Sequence, residues 1–265
     1  MNALDLDKIW QDMLRQSDVC CDPLIQGVFT TGITEHRSFD AALAALLGTK
    51  LSDRALSVPA LSSLIMACLK DTPRIAEDAA ADMLAVYERD PACTDYVTPF
   101  LFFKGYHALQ AYRVANWLWR HDRKHLAQHL QSLVSERFGI DIHPAATIGR
   151  RVIFDHGTGI VIGETAVIAD DVSIFQNVTL GGTGKTSGNR HPKIARGVLI
   201  GAGAKVIGNI SVGEGAKIGA GSVVLNDVAP HVTVVGNPAR PVGKPNTSDP
   251  ALSMDQSFPD TDFVI

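Results

Sequence analysis

A chain of 265 residues that is 46% hydrophobic has the material for one large or two medium-sized cores. Its formal net charge of −4 comes from acids and bases mixed along the chain, which leaves no basic face for a nucleic-acid backbone. No apolar run approaches the roughly 20 residues that cross a bilayer, so neither nucleic acid nor membrane is an expected partner.

The N-terminus, MNALDLDKIWQDML, sets acids among apolar residues at helical spacing, unlike the basic start and apolar core of a secretory signal. Cys20, Cys21, Cys68 and Cys93 fall in the N-terminal third, with no CxxC pair and no His at zinc-like spacing. They read as reduced thiols. A cytoplasmic setting and no metal are the expectations.

Residues 1–139 are patterned as helices. Ser38 to Leu47 is rich in Ala and Leu, and Ser57-Val58-Pro59 has the form of a cap with Pro in the first turn. Asp71-Thr72-Pro73 opens a helix that runs to Arg89, Thr98-Pro99 offers another start, and Gly139 stops the last helix. Leu109, Tyr112, Val114 and Trp117 recur at helical steps, which predicts a bundle that buries faces against itself or a partner.

From Ile142 the period becomes six. The anchors are Ile142, Ile148 and Phe154, then Ile162, Ile168, Ile174 and Leu180, then Ile194, Ile200, Val206, Val212, Ile218 and Val224. A small or aliphatic residue stands two positions before most of them, as at Ala146, Val152, Val178, Val198 and Ala216. Residues i and i−2 share one face of a strand, so each hexad is one short strand plus a turn, and the strands must stack to bury that face. The prediction is a parallel β-helix over 140–243. The polar, Pro-containing, acidic segment 244–265 has no period and reads as a flexible C-terminal tail.

The period fails twice. Phe154 to Ile162 takes eight residues, with the extra pair around Asp155 and His156. Leu180 to Ile194 takes fourteen where two hexads would take twelve, with a Gly-rich stretch ending in Arg190-His191. Insertions in a solenoid loop outward without disturbing its core, so chemistry is expected at both.

Ile148-Gly149, Ile162-Gly163, Ile200-Gly201 and Ile218-Gly219 resemble the repeats of the hexapeptide acyltransferases, whose β-helix is left-handed. Within that superfamily several segments resemble the serine O-acetyltransferases: Arg89-Asp90-Pro91, Lys104 to Arg113, Asp141 to Ala146, Asp155 to Gly159, Gly181 to Lys185 and Arg190 to Lys193. The implied fold is α+β, an N-terminal α-helical bundle followed by a C-terminal left-handed parallel β-helix. The implied reaction moves acetyl from acetyl-CoA, a co-substrate and not a resident cofactor, to L-serine, giving O-acetylserine for cysteine synthesis.

Acetyl transfer to an alcohol needs a base, and a histidine, titrating at about 6.5 in water, is available in neutral form at cellular pH. His156 fills that role. The resemblance places Asp141 behind it as the carboxylate that fixes the ring, and His191 or a backbone N–H as donor to the tetrahedral oxyanion. It also implies that Asp90 and Asp155 hold the serine ammonium, that Arg190, with His191, clamps the carboxylate, and that the pantetheine arm runs past Ala202, Gly203 and Ala220, with Thr183 and Lys217 as further contacts.

Plainer roles stand beside these. His121, His125 and His129 fit a solvated helix face, His143 a cap on the first coil, Glu164 a turn, and Asp141 equally a turn cap. A hexapeptide acetyltransferase for another hydroxyl, a γ-carbonic-anhydrase-like zinc lyase and a non-catalytic scaffold are the rival functions. The resemblance further implies a homotrimer through the β-helix, a hexamer through the helices, L-cysteine as feedback inhibitor, and insertion of terminal Ile265 into the active site of O-acetylserine sulfhydrylase.

Overall fold

The computed structural model describes residues 5–18, 22–184 and 187–257; Cys20, Cys21 and Ile265 lie outside them. The N-terminal half is α1 (Leu6–Ser17), α2 (Gln26–Phe29, continued by a π-helical turn at Thr30–Thr34), α3 (Phe39–Leu51), α4 (Val58–Asp71), α5 (Arg74–Arg89), α6 (Val97–Phe102), α7 (Lys104–Arg120) and α8 (Lys124–Phe138). Ser38 and Ser57 cap α3 and α4, their hydroxyls accepting from the backbones of Ala41 (3.3 Å) and Ala60 (3.4 Å). Gly139, at φ +67°, ends α8. α6 starts at Val97, slightly ahead of Thr98-Pro99, because the Asp95 carboxylate accepts from Thr98 N at 2.6 Å. Phe39, Leu43, Leu47, Leu61, Ile65, Leu69, Met83, Phe100 and Leu109 fill the bundle core. Cys68 and Cys93 are free and buried, and burial pushes their thiols up to about 12 and about 11, so they stay protonated.

The hexads form three parallel walls of a left-handed β-helix. The first wall stacks Ile142, Ile162, Leu180, Val206 and Val224; the second Ile148, Ile168, Ile194 and Val212; the third Phe154, Ile174, Ile200, Ile218 and Val234. The anchors point inward and are buried. A final antiparallel strand, Ala239–Gly243, covers the open edge of the third wall.

This register corrects one expectation. Leu180 lies in the first wall and Ile194 in the second, so a single hexad step is stretched to fourteen residues. The insertion is one long loop at one corner. The shorter insertion, at His156, lies at a different corner, between the third and first walls.

The tail departs from expectation as far as it is described. Pro250–Ser253 is a short helix, α9, and Ala251 is fully buried on the third wall. Ser173 Oγ donates to Ala251 O at 2.9 Å, and Lys217 Nζ donates to Ser257 O. The segment is polar because it docks through hydrogen bonds more than through apolar surface. Ile265 is outside the described residues.

Two buried ion pairs fix α5 against the β-helix. Asp82 accepts from Arg113 (2.6 Å), from Gln110 (3.1 Å) and from the backbone of Val152 (3.0 Å). Two turns on, Arg89 donates to Asp171 at 2.6 Å and to Ser173 at 3.3 Å. Asp90 follows as the C-cap of α5, and so the bundle delivers a carboxylate to the edge of the solenoid. Among the described residues no helix is long and apolar enough to cross a membrane.

Candidate active site

His156 occupies the outward pair of residues between the third and first walls. Its backbone lies in the left-handed region, φ +55°, which is unusual for a residue with a side chain and marks a sharp turn held by its surroundings. The next residue, Gly157, sits against α7: a Cβ there would lie 3.2 Å from Gly105 Cα and 2.6 Å from Ile140 Cδ1. Gly105 in turn leaves no room for a side chain, since its Cβ would fall 2.0 Å from Phe154 O. The start of α7 therefore presses on the turn that presents His156, whose side chain is 74% exposed.

A cleft of about 490 Å³ opens beside it, lined by Asp90, Phe102, Phe103, Lys104, Asp155 and His156, among others. The structure thus brings Asp90, Asp155 and His156 together across the domain junction. Burial raises the Asp155 carboxyl above its ordinary range; the His156 ring, 4.0 Å away, pulls it down and the Asp90 charge pushes it up again. Two carboxylates lining one cleft, close enough for the charge of one to raise the other, form a receptor for a cation. Met254 of the tail reaches a small side cavity between Asp90 and Asp155. Lys104, to which the sequence reading gave no role, bonds the Thr158 hydroxyl at the cleft wall.

The other candidates separate into two sets. Ala202, Gly203 and Ala220 follow Ile200 and Ile218 at the same corner as His156, two and three coils further along it. At about 4.8 Å per coil this makes a small-residue track of roughly 10 to 15 Å leading away from the histidine. Lys217 stands on the outer face of the third wall but is only 3% exposed, covered by the docked tail.

Thr183, Arg190 and His191 lie at the next corner, between the first and second walls, with His143, Glu164 and Thr165. Arg190 is 3.5 Å from Glu164. The His191 ring is 5% exposed, and burial, helped by the Arg190 charge, lowers its pKa. Within one chain the structure does not unite Arg190 and His191 with His156. Nor does it form the expected bond between Asp141 and His156: the Asp141 carboxylate accepts from Gln131 Nε2 at 2.7 Å instead.

The plainer readings fit several residues. His143 Nδ1 accepts from Ala145 N at 3.1 Å, which caps the first coil. His125 is exposed and His129 meets Asp53 at 2.9 Å on the partly exposed face of α8, but His121 does not share that face: it is the C-cap of α7, its Nδ1 2.8 Å from Trp117 O. Thr165 was missed in the sequence, where nothing sets it apart from other turn residues.

Comparison with known proteins identifies the relatives of this chain. The family model described as serine acetyltransferase, N-terminal, matches residues 9–111, and the bacterial transferase hexapeptide (six repeats) model matches residues 191–226. A serine acetyltransferase of Salmonella typhimurium is 50% identical over 260 residues, 97% of this chain and 95% of the relative. The crystal structure of serine acetyltransferase from Vibrio cholerae is 52% identical with a TM-score of 0.92, covering 95% of this chain and 98% of that one. A serine acetyltransferase structure in complex with cysteine is 47% identical with a TM-score of 0.92, over the same shares.

Proposed function

The chain belongs to the serine acetyltransferase family, it carries acetyl from acetyl-CoA to L-serine, and we propose that it does so in one direct step with His156 as the base. One observation carries the proposal: His156 stands exposed at a cleft whose walls hold two carboxylates, Asp90 and Asp155. A carboxylate pair suits the ammonium of an amino acid, and the pairing sets the substrate hydroxyl beside the imidazole.

In this reading His156 takes the hydroxyl proton as the serine oxygen attacks the thioester carbonyl carbon. The C–O bond forms, the carbonyl pair becomes an oxyanion, and N–H donors stabilise it. As the pair returns, the C–S bond breaks and His156 gives its proton to the departing sulfur. No acyl-enzyme is needed; the described thiols, Cys68 and Cys93, are buried and protonated. Asp141 would exchange Gln131 for the second nitrogen of His156, stabilising the imidazolium. The pantetheine arm would follow Ala202, Gly203 and Ala220, with Thr183 and Lys217 as outlying contacts.

The separation of Arg190 and His191 from His156 supports a homotrimer, in which the Arg190 corner of one subunit faces the His156 corner of the next and closes on the substrate carboxylate. A hexamer would pair two trimers through the helices. L-cysteine, serine with a thiol in place of the hydroxyl, would satisfy the same ammonium and carboxylate contacts, and a similar structure is described in complex with cysteine. Ile265 would dock in O-acetylserine sulfhydrylase. Deleting Ile265 should abolish that binding. A cytoplasmic location is part of the same reading.

The functional test is release of free CoA thiol from acetyl-CoA with L-serine, D-serine, sugars and aminoglycosides as acceptors. Thiol release that requires L-serine supports the proposal; equal release with sugars would replace it by acetylation of another hydroxyl.

A further inference from the structure

The hydrogen bonds around His191 fix which of its nitrogens carries a proton. Thr165 N–H faces His191 Nδ1 at 3.2 Å, and a backbone N–H can only donate. The Thr165 hydroxyl oxygen lies 2.9 Å from the same nitrogen, and it already accepts from Arg190 N at 3.0 Å and His191 N at 3.2 Å. With both lone pairs of that oxygen engaged, its own hydrogen is left to point at Nδ1. Nδ1 is therefore an acceptor twice over. The neutral ring must carry its hydrogen on Nε2, which has no hydrogen-bond partner among the described residues.

The rest of the corner holds this arrangement. Lys193 Nζ donates to Thr165 O at 2.7 Å, to His191 O at 2.8 Å and to Asn189 Oδ1 at 2.6 Å, tying the end of the long loop to the Thr165 turn. Gly163 lets the ring approach the backbone after the first-wall strand, since a Cβ there would fall 2.0 Å from Nε2. The charged groups around the ring are Arg190, Lys193, Glu164 and His143; with burial, the two cations disfavour a second proton.

We propose that Thr165 is a positioning residue of the acetyl transfer, which locks His191 as the neutral Nε2–H tautomer so that it serves as a fixed N–H donor and not as a base or a charge. The proposal rests on the reading of His191 as a contact to the oxyanion or the serine carboxylate. A neutral donor has a definite advantage there: it stabilises developing negative charge without itself giving up a proton to the intermediate.

The test combines kinetics with ¹⁵N spectra of histidine-labelled full-length enzyme. The wild type should show His191 protonated at Nε2 alone at assay pH. Thr165→Ser, which keeps the hydroxyl, should retain that tautomer and kcat within about twofold. Thr165→Val, which keeps only the backbone N–H as donor to Nδ1 and leaves the Arg190 and His191 amides without their acceptor, should admit a detectable fraction of the other tautomer and lower kcat by about tenfold, below the roughly hundredfold cost of removing such a donor outright, with KM for acetyl-CoA unchanged. A wild-type ring protonated at Nδ1 or at both nitrogens overturns the proposal, whether or not Thr165→Val folds, as does a folded Thr165→Val with unchanged tautomer and kcat. Undiminished serine acetylation by His191→Ala would instead remove the role of His191 itself, a failure the tautomer measurement keeps separate.

Discussion

Arg89 donates to Asp171 at 2.6 Å across the junction of the two halves, and the residue that follows Arg89 is Asp90, one wall of the cleft. Asp171 also accepts from Arg151 at 2.7 Å and from Arg196 at 3.1 Å, so one buried carboxylate meets three guanidinium groups, of which Arg151 also pairs with Glu88 and Arg196 with Glu214. Asp171→Ala should cost about 3 kcal/mol or more, measured by chemical denaturation, because it leaves Arg89 buried without its counter-charge. Burial pushes the Asp171 carboxyl up, but the arginines together outweigh it and hold it below the ordinary 3.8, so this stabilisation is complete above that pH and is lost as pH falls through the lower folded value. The stability difference between wild type and Asp171→Asn should therefore narrow below pH 3.8 and be constant at neutral pH.

His107 makes the opposite case. It is 1% exposed, its Nε2 lies 2.7 Å from Phe100 O, and burial lowers its pKa to about 3. The unfolded chain binds a proton there near 6.5 and the folded chain does not. Wild type should lose stability as pH drops from 6.5 toward 3, by up to about 1.4 kcal/mol per pH unit from this residue. His107→Gln, less stable at pH 7, should show a flatter acid limb in a pH series of melting temperatures.

The proposed mechanism sets Asp90 and Asp155 on the amino acid and not on CoA. Asp90→Asn and Asp155→Asn should each raise KM for serine by about tenfold or more while KM for acetyl-CoA moves little, checked by varying each substrate at saturating levels of the other. An equal rise in both constants would show that the cleft had lost its shape.

The turn that presents His156 depends on the absence of a side chain at Gly105. Gly105→Ala places a Cβ 2.0 Å from Phe154 O, a backbone atom that cannot swing aside. It should displace α7 from the solenoid and lower both the melting temperature and kcat, whereas Gly27→Ala, where nothing lies within 4 Å of the added Cβ, should spare the cleft.

The solenoid was legible because its anchors repeat: Ile200 with Ile218 and Val206 with Val224 stack as three hexads per coil require, and the pair of residues that breaks the period at His156 was visible in the spacing. The step from Leu180 to Ile194 was misread because its fourteen residues mimic two hexads plus two, and spacing alone does not say which wall a strand joins. The docked tail was illegible for a different reason. Among its contacts are Ser173 to Ala251 O, Lys217 to Ser257 O and Ala251 N to Gly197 O, bonds to backbone that leave no trace in polarity or period. Thr165 acts through its backbone N–H as well as its hydroxyl, which no residue type announces.

The most direct measurement is serine-dependent release of CoA thiol by wild type and His156→Ala, assayed side by side on folded protein of matched melting temperature. Direct transfer with His156 as base predicts a loss of kcat of about a hundredfold or more, at little change in the KM of either substrate. Full activity of His156→Ala on serine would contradict it.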